Sequence, residues 1–252
     1  MDYTSEFYRL DDLQRGGFKL LQDTREFCFG MDSVLLADFA ARDMKKNARA
    51  AELCCGNGAV SVLMLARNDS LNITGVELSE NSALLAEYNA GLNGIEKTFK
   101  VLHCDLKKMP AQYGNSFDAV VVNPPYNVPM RGVKSSAKAK RISRSEEEAS
   151  LADVLICSKR ILKDKGKLYM VHRPTRLDEI VCELSDYSFA LKTIRFVYPK
   201  KTEKSNVMLL CATKNGGTFT EVLPPLVAYN DVGKYTDEIY HIYYGNSNCH
   251  SI

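Results

Sequence analysis

Between residues 50 and 172 the apolar positions gather into short runs, AAELCC, NITGVEL, TFKVLHC, FDAVVV and GKLYMVH, with helically spaced stretches at 58–67, 80–93 and 147–163 between them. Short runs rich in β-branched residues suit strands covered on both faces, and their alternation with helices predicts a mostly parallel sheet with helices on both sides. Beyond it, RPTRLDEIVCELSDY places a proline where a first helical turn accepts one and follows it with acids, so another helix is expected. FALKTIRFVYP and SNVMLLCAT then follow each other with only the basic turn KKTEK between them. Two strands so joined pair antiparallel. Ahead of the sheet, FKLLQ (18–22) and EFCFG (26–30) predict a hairpin across Asp23-Thr24-Arg25, and Asp32 is expected to cap a helix over DSVLLADFAARDMKK. The stretch from Gly216 onward is aromatic but interrupted by Pro and Gly, and is expected to drape over the sheet. The resulting division is a hairpin and cap helix at 1–48, a Rossmann-like core at 49–215 and a packed extension at 216–252.

With 252 residues and 45% apolar composition, the chain can bury a sizeable core. The net charge of +2 is too small to make the whole surface attractive to a polyanion, so any such site must be local. Eight cysteines lie mostly inside apolar runs without a CxxC pair, and four histidines are scattered singly. Reduced structural thiols and no metal site are expected. The N-terminus MDYTSEFYRLDDLQRGG lacks the apolar segment of a signal peptide and no run approaches a membrane span, so a soluble cytoplasmic protein without membrane contact is expected. Oligomeric state is left open.

Ligands of doubly wound sheets sit beyond the carboxyl ends of the strands, at the switch point. The first strand end reads ELCCGNGAVS, where Gly56 and Gly58 permit a tight turn and close approach to a ligand. Glu77 ends the next strand at a spacing suited to gripping ribose hydroxyls. Ser61 occupies the third place of the GxGxxG pattern, which weakens a dinucleotide reading without excluding it. S-adenosylmethionine has no phosphate and carries a cationic sulfonium, which acids serve better. Glu52, Glu77 and Asp105 supply acids at three successive strand ends.

The fourth strand end is AVVVNPPYNVP. Prolines terminate strands, but they also lack N–H groups and hold the preceding residue extended, so Asn123, Pro124 and Pro125 present oxygens in a stiff row with few competing donors. Such a row suits an amino group as substrate. The Asn123 side-chain oxygen and the Pro124 carbonyl are expected to accept the two hydrogens of an exocyclic amine, with Tyr126 stacked on the base.

NPPY after a Rossmann-like half resembles the N/D-PP-Y/F/W signature of methyltransferases acting on exocyclic or amide nitrogens. DDLQ…FCFGMDSVLLADFA (11–40), KSNVMLLCATKNGG (204–217) and GKYTDEIYHIYYG (233–245) make the chain similar to the bacterial tRNA(Val) adenine methyltransferase group. The resemblance implies a Rossmann-like class I methyltransferase fold: a mostly parallel seven-stranded sheet ending in an antiparallel hairpin, with a small N-terminal hairpin-helix cap. It implies S-adenosylmethionine as methyl donor and tRNA as substrate, with an adenine beside the anticodon as target. Gly56, Gly58 and Glu77 would bind the donor together with Glu52, Leu78 and Asn123, Asp105 and Leu106 would lie near its adenine, and Phe29, Gly30 and Asp32 would border the pocket. Cys54 stands where such enzymes have a glycine, Glu52 where they have an aspartate, and Asn127 where this group often has an aromatic residue.

Just past NPPY, residues 127–145 hold Arg131, Lys134, Lys138, Lys140, Arg141 and Arg144 and no acid. These six cations beside the target pocket are expected to neutralise RNA phosphates. NPPY-type motifs also occur in glutamine methyltransferases of release factors and in ribosomal RNA methyltransferases, which are the alternative enzymes. A non-catalytic RNA-binding module of the same fold is the alternative outside enzymes.

Overall fold

The computed structural model describes residues 3–26, 28–124 and 149–245. Its main sheet runs in the order β5 (Phe99–His103), β4 (Asn72–Glu77), β3 (Arg49–Leu53), β6 (Phe117–Val122), β7 (Leu162–His172), β9 (Val207–Lys214), β8 (Phe189–Tyr198). From β5 to β7 all neighbours are parallel, whereas β9 lies antiparallel between β7 and β8. This is the expected mostly parallel sheet with its terminal antiparallel pair. The extension adds two short strands, β10 (Glu221–Val222) and β11 (Leu226–Val227), both parallel to the outer edge of β8.

The strand alternation sorts the core into two faces. Ala50, Val121, Val171 and Leu209 face helices α1 (Met31–Asp43), α2 (Ala59–Leu65), α3 (Glu80–Leu92) and α6 (Asp237–Tyr244). Ala51, Val120, Met170 and Leu210 face α4 (Leu151–Ile161) and α5 (Leu177–Asp186). α4 starts at a capping box, in which Ser150 and Asp153 satisfy each other's backbone N–H groups. α6, at the end of the aromatic extension, starts where the Thr236 side chain accepts from Ile239. Its last carbonyls are held by two arginines: Arg15 donates to His241 and Ile242, and the buried Arg67 donates to Ile242 at 2.7 Å. No helix among the described residues is long and apolar enough to cross a membrane.

The N-terminal hairpin differs from the expected one. β1 (Tyr8–Asp12) pairs antiparallel with β2 (Lys19–Asp23), and residues 28–30 form no strand. Gln14, Gly16 and Gly17 adopt positive φ angles of 56°, 60° and 74°, so the chain reverses there. At the other end of β2, Asp23 accepts from the Arg25 N–H at 2.9 Å, and the resulting turn leads onward to α1. Nor does Asp32 cap that helix: Gly30 holds the cap position, and Asp32 lies one residue inside the first turn. The free edge of β2 is closed by side chains. Asn89 accepts from the Leu21 N–H at 2.8 Å and donates to the Leu21 carbonyl at 3.0 Å, and Asn93, one turn further along, does the same for Lys19 at 2.8 and 2.7 Å. Two amides at helical spacing therefore stand where a third strand would pair.

Candidate active site

The strand order reverses between β3 and β6, and the carboxyl ends of β3, β4, β5 and β6 open there into a cavity of about 910 Å³. Glu52, Gly56, Glu77, Leu78, Asp105, Leu106 and Asn123 line it, as does Phe29 from the segment before α1. Sequence reasoning thus brought eight candidate residues to one place. Gly30, Asp32, Gly58 and Pro124, also described, do not line it. Pro125, Tyr126, Arg131, Lys134, Lys138, Lys140, Arg141 and Arg144 lie outside the described residues.

Each strand-end acid is fixed by a local bond. Glu77 accepts from the backbone N–H groups of Gly56 and Ser79, both at 2.8 Å, so it clamps the glycine turn to the end of β4. Asp105 accepts from the Lys107 N–H at 2.9 Å, capping a short 3-10 turn. Glu52, only 3% exposed, accepts from both the N–H and the hydroxyl of Ser61. Burial, reinforced by the nearby Glu77 charge, pushes the Glu52 carboxyl up to about 8. Ser61 therefore serves an internal carboxyl group.

The two glycines of the turn do different work. Gly56, at φ 54°, has open space where a Cβ would stand, as a close ligand approach requires. Gly58, at φ 79°, begins α2, and a Cβ there would come within 2.8 Å of the Phe99 ring. Close packing against the Phe99 ring of β5 accounts for a glycine at position 58. Cys54, where the family pattern has glycine, keeps the left-handed backbone at φ 57°. That conformation costs a non-glycine residue about 1–2 kcal/mol. The thiols are not uniformly interior: Cys54 and Cys104 are half-buried and line the cavity, and Cys182 is exposed.

One wall was not foreseen. Ser5, Tyr8, Asp23, Arg25 and Glu26 bring the N-terminal hairpin to the cavity, and Ser33 reaches it from α1. The misplaced hairpin hid the first five; Ser33 sits in an apolar run and gave no signal beyond being its one hydroxyl. Among the described residues Arg25 is the one basic side chain on the wall, and it is paired with Asp23 at 2.6 Å. Against it stand the acids Asp23, Glu26, Glu77 and Asp105, while Glu52 is held neutral by its burial. A pyrophosphate would meet repulsion here, whereas a cationic ligand carrying ribose hydroxyls meets complementary charge and acceptors.

A Rossmann-like sheet with an acid-lined cavity at its switch point and Asn-Pro at the end of β6 defines a class I methyltransferase. The methyltransferase small domain family matches residues 31–180, more than half of the chain, and the chain belongs to that family. It is 28% identical over 247 residues, 95% of each chain, to the tRNA1(Val) (adenine(37)-N6)-methyltransferase of Shewanella sp. (strain MR-4). Among solved structures it is similar to a predicted O-methyltransferase from Agrobacterium tumefaciens, at a TM-score of 0.69 and 21% identity, covering 85% of this chain and 96% of that one. It is also similar to M. jannaschii TYW2 in complex with AdoMet, at a TM-score of 0.56 and 11% identity, covering 84% of this chain and 87% of that one.

Proposed function

We propose that this protein transfers a methyl group from S-adenosylmethionine to the exocyclic amine of an adenine in tRNA, beside the anticodon. The observation that carries this reading is the joining, in one cavity wall, of the acid-lined turn after β3 to the Asn123 amide after β6. The near full-length likeness to tRNA1(Val) (adenine(37)-N6)-methyltransferases supports the choice of substrate. The donor supplies an electrophilic methyl on a cationic sulfonium.

The chain's own residues bind and orient. Gly56 lets the backbone approach the donor, Glu77 offers carboxylate lone pairs to ribose hydroxyls, and Asp105 lies on the adenine side. An adenine amine is a weak nucleophile because its lone pair is delocalised into the ring. Asn123 Oδ1 on the cavity wall and, outside it, the Pro124 carbonyl accept hydrogen bonds from its two N–H groups, turn the lone pair toward the methyl and favour pyramidalisation; once the N–C bond has formed and the C–S bond has broken, the surplus amine proton passes to solvent. Positioning of this kind contributes about 7–11 kcal/mol where the geometry is near attack. Tyr126 stacks on the base, a contact of about 1–3 kcal/mol. An adenine in a loop is already partly unstacked and enters the pocket at little cost. The cations Arg131, Lys134, Lys138, Lys140, Arg141 and Arg144 hold the phosphates on either side.

The test is incubation with methyl-labelled donor and, in parallel, total bacterial tRNA, ribosomal RNA and release factor, followed by digestion and identification of the modified unit. N6-methyladenosine from tRNA is expected. Label confined to ribosomal RNA or release factor, or absent from all three, overturns the reading.

Glu52 makes a separate prediction. Its folded pKa of about 8 lies above the ordinary glutamate value of 4.5, so the folded state holds more protons than the unfolded one between those pH values. The contribution to stability is full below about pH 4.5 and is lost as pH rises through about 8. Glu52→Gln should therefore flatten the fall in melting temperature between pH 5 and 8.5, measured on the ligand-free protein. Parallel wild-type and variant curves would mean that Glu52 is already ionised in the folded chain.

A further inference from the structure

The geometry points to Ser33 as the residue that orients the Asn123 amide for the target amine. This rests on the proposed role of Asn123 as an acceptor. Asn123 Nδ2 donates to Ser33 Oγ at 3.2 Å, across 90 residues of sequence. Both side chains line the cavity, and Ser33 is itself only 3% exposed, in the first turn of α1 with its N–H donating to the Gly30 carbonyl at 3.1 Å. α1 is anchored along its length, with Val34, Leu35, Leu36 and Ala37 all buried in the core under the sheet, so the Oγ position is fixed by packing.

An asparagine amide has a donor end and an acceptor end, and its terminal torsion is soft and roughly two-fold. Only one of its two orientations serves an amine. With Nδ2 turned inward, two sets of donors would face each other and the base would be repelled. With Oδ1 turned inward, Nδ2 points to α1, where the buried Ser33 Oγ accepts from it. The hydroxyl thus makes the productive orientation the satisfied one. Ser33 touches neither the donor sulfonium nor the target amine in this scheme; it is a positioning residue, supplied by the N-terminal helix to a loop of the sheet.

Two variants separate this role from a structural one. Alanine and glycine both remove the hydroxyl but bracket serine in helix propensity, so they move stability in opposite directions. For both Ser33→Ala and Ser33→Gly, kcat is expected to fall about five- to tenfold, the value of one hydrogen bond, with donor affinity and the KM for tRNA unchanged. The Asn123 side-chain amide signals, identified in nitrogen-labelled protein by their disappearance in Asn123→Asp, should exchange with solvent faster in both variants. A kcat that follows melting temperature instead, with Ser33→Ala equal to wild type and only Ser33→Gly impaired, overturns the inference, as does unchanged amide exchange. If Asn123→Ala itself retains full turnover, the acceptor role of Asn123 has failed first; if Asn123→Ala is inactive and Ser33→Ala is not, only the orienting role of Ser33 has.

Discussion

Asn123→Ala is expected to lower methyl transfer by about 10²- to 10³-fold, the loss that follows removal of one preorganised polar group at a reacting centre. Donor binding, measured by calorimetry on the same variant, should fall far less than turnover. The reason is positional. In the proposed scheme the donor is held chiefly at the turn after β3 and the ends of β4 and β5, where Gly56, Glu77 and Asp105 keep their own bonds without help from β6. Asn123 follows Val122 at the end of β6, and among the described residues its side chain bonds to Ser33 on α1. Truncating it removes an acceptor for the target while the glycine turn remains clamped. If donor affinity fell in step with turnover, Asn123 would belong to the donor site and its assigned part in catalysis would be wrong.

The second large effect is on stability. Asn89 is fully buried and makes three hydrogen bonds, to the N–H and carbonyl of Leu21 and to the Asn57 carbonyl at 3.0 Å. It therefore ties the N-terminal hairpin to the glycine turn that borders the cavity. Asn89→Leu, close in volume, leaves those backbone groups without partners in an apolar setting, at about 1–3 kcal/mol for each group that finds no water. A total loss of about 3–5 kcal/mol is expected, read as a lower urea midpoint at unchanged slope. Donor affinity should weaken as well, because the Asn57 carbonyl loses its anchor beside Gly56. Asn93→Leu removes the equivalent bonds to Lys19 at a half-buried position where water replaces them, and should cost under about 1 kcal/mol. Equal effects at both positions would show that burial does not set the value of these bonds.

Much of the architecture was legible because the sheet is buried on both sides. In FDAVVV successive residues enter opposite core faces, Val121 toward α1 and Val120 toward α4, and only a strand in a three-layer fold needs both. The strand-end acids were legible for a related reason: Glu52, Glu77 and Asp105 each interrupt an apolar run where the strand leaves the core. The hairpin was misread because FCFG looks as apolar as a strand, while the true partner, YRLDD, carries charge at Arg9, Asp11 and Asp12. Its pairing is decided by positive φ angles at Gln14, Gly16 and Gly17, and its edge by Asn89 and Asn93, which read in sequence as polar positions on a helix. Gly58 was placed with Gly56 because the two share a motif; that one meets Phe99 and the other meets space depends on how α2 lies over β5. The link between Ser33 and Asn123 joins positions 90 residues apart and leaves no local pattern.

The position of β9 dictates an order of assembly. β9 is the last long strand in the chain, yet it lies inside the sheet, antiparallel to β7 on one side and to β8 on the other. β8 emerges from the ribosome first and has no place beside β7 until residues 207–214 arrive to fill the gap. Throughout that interval the nascent chain carries an open backbone edge on β7, next to the strand that ends at Asn123. Such an edge invites pairing with a neighbouring chain. Protection of the half-made sheet thus depends on the late segment SNVMLLCAT, which is not among the residues that line the cavity.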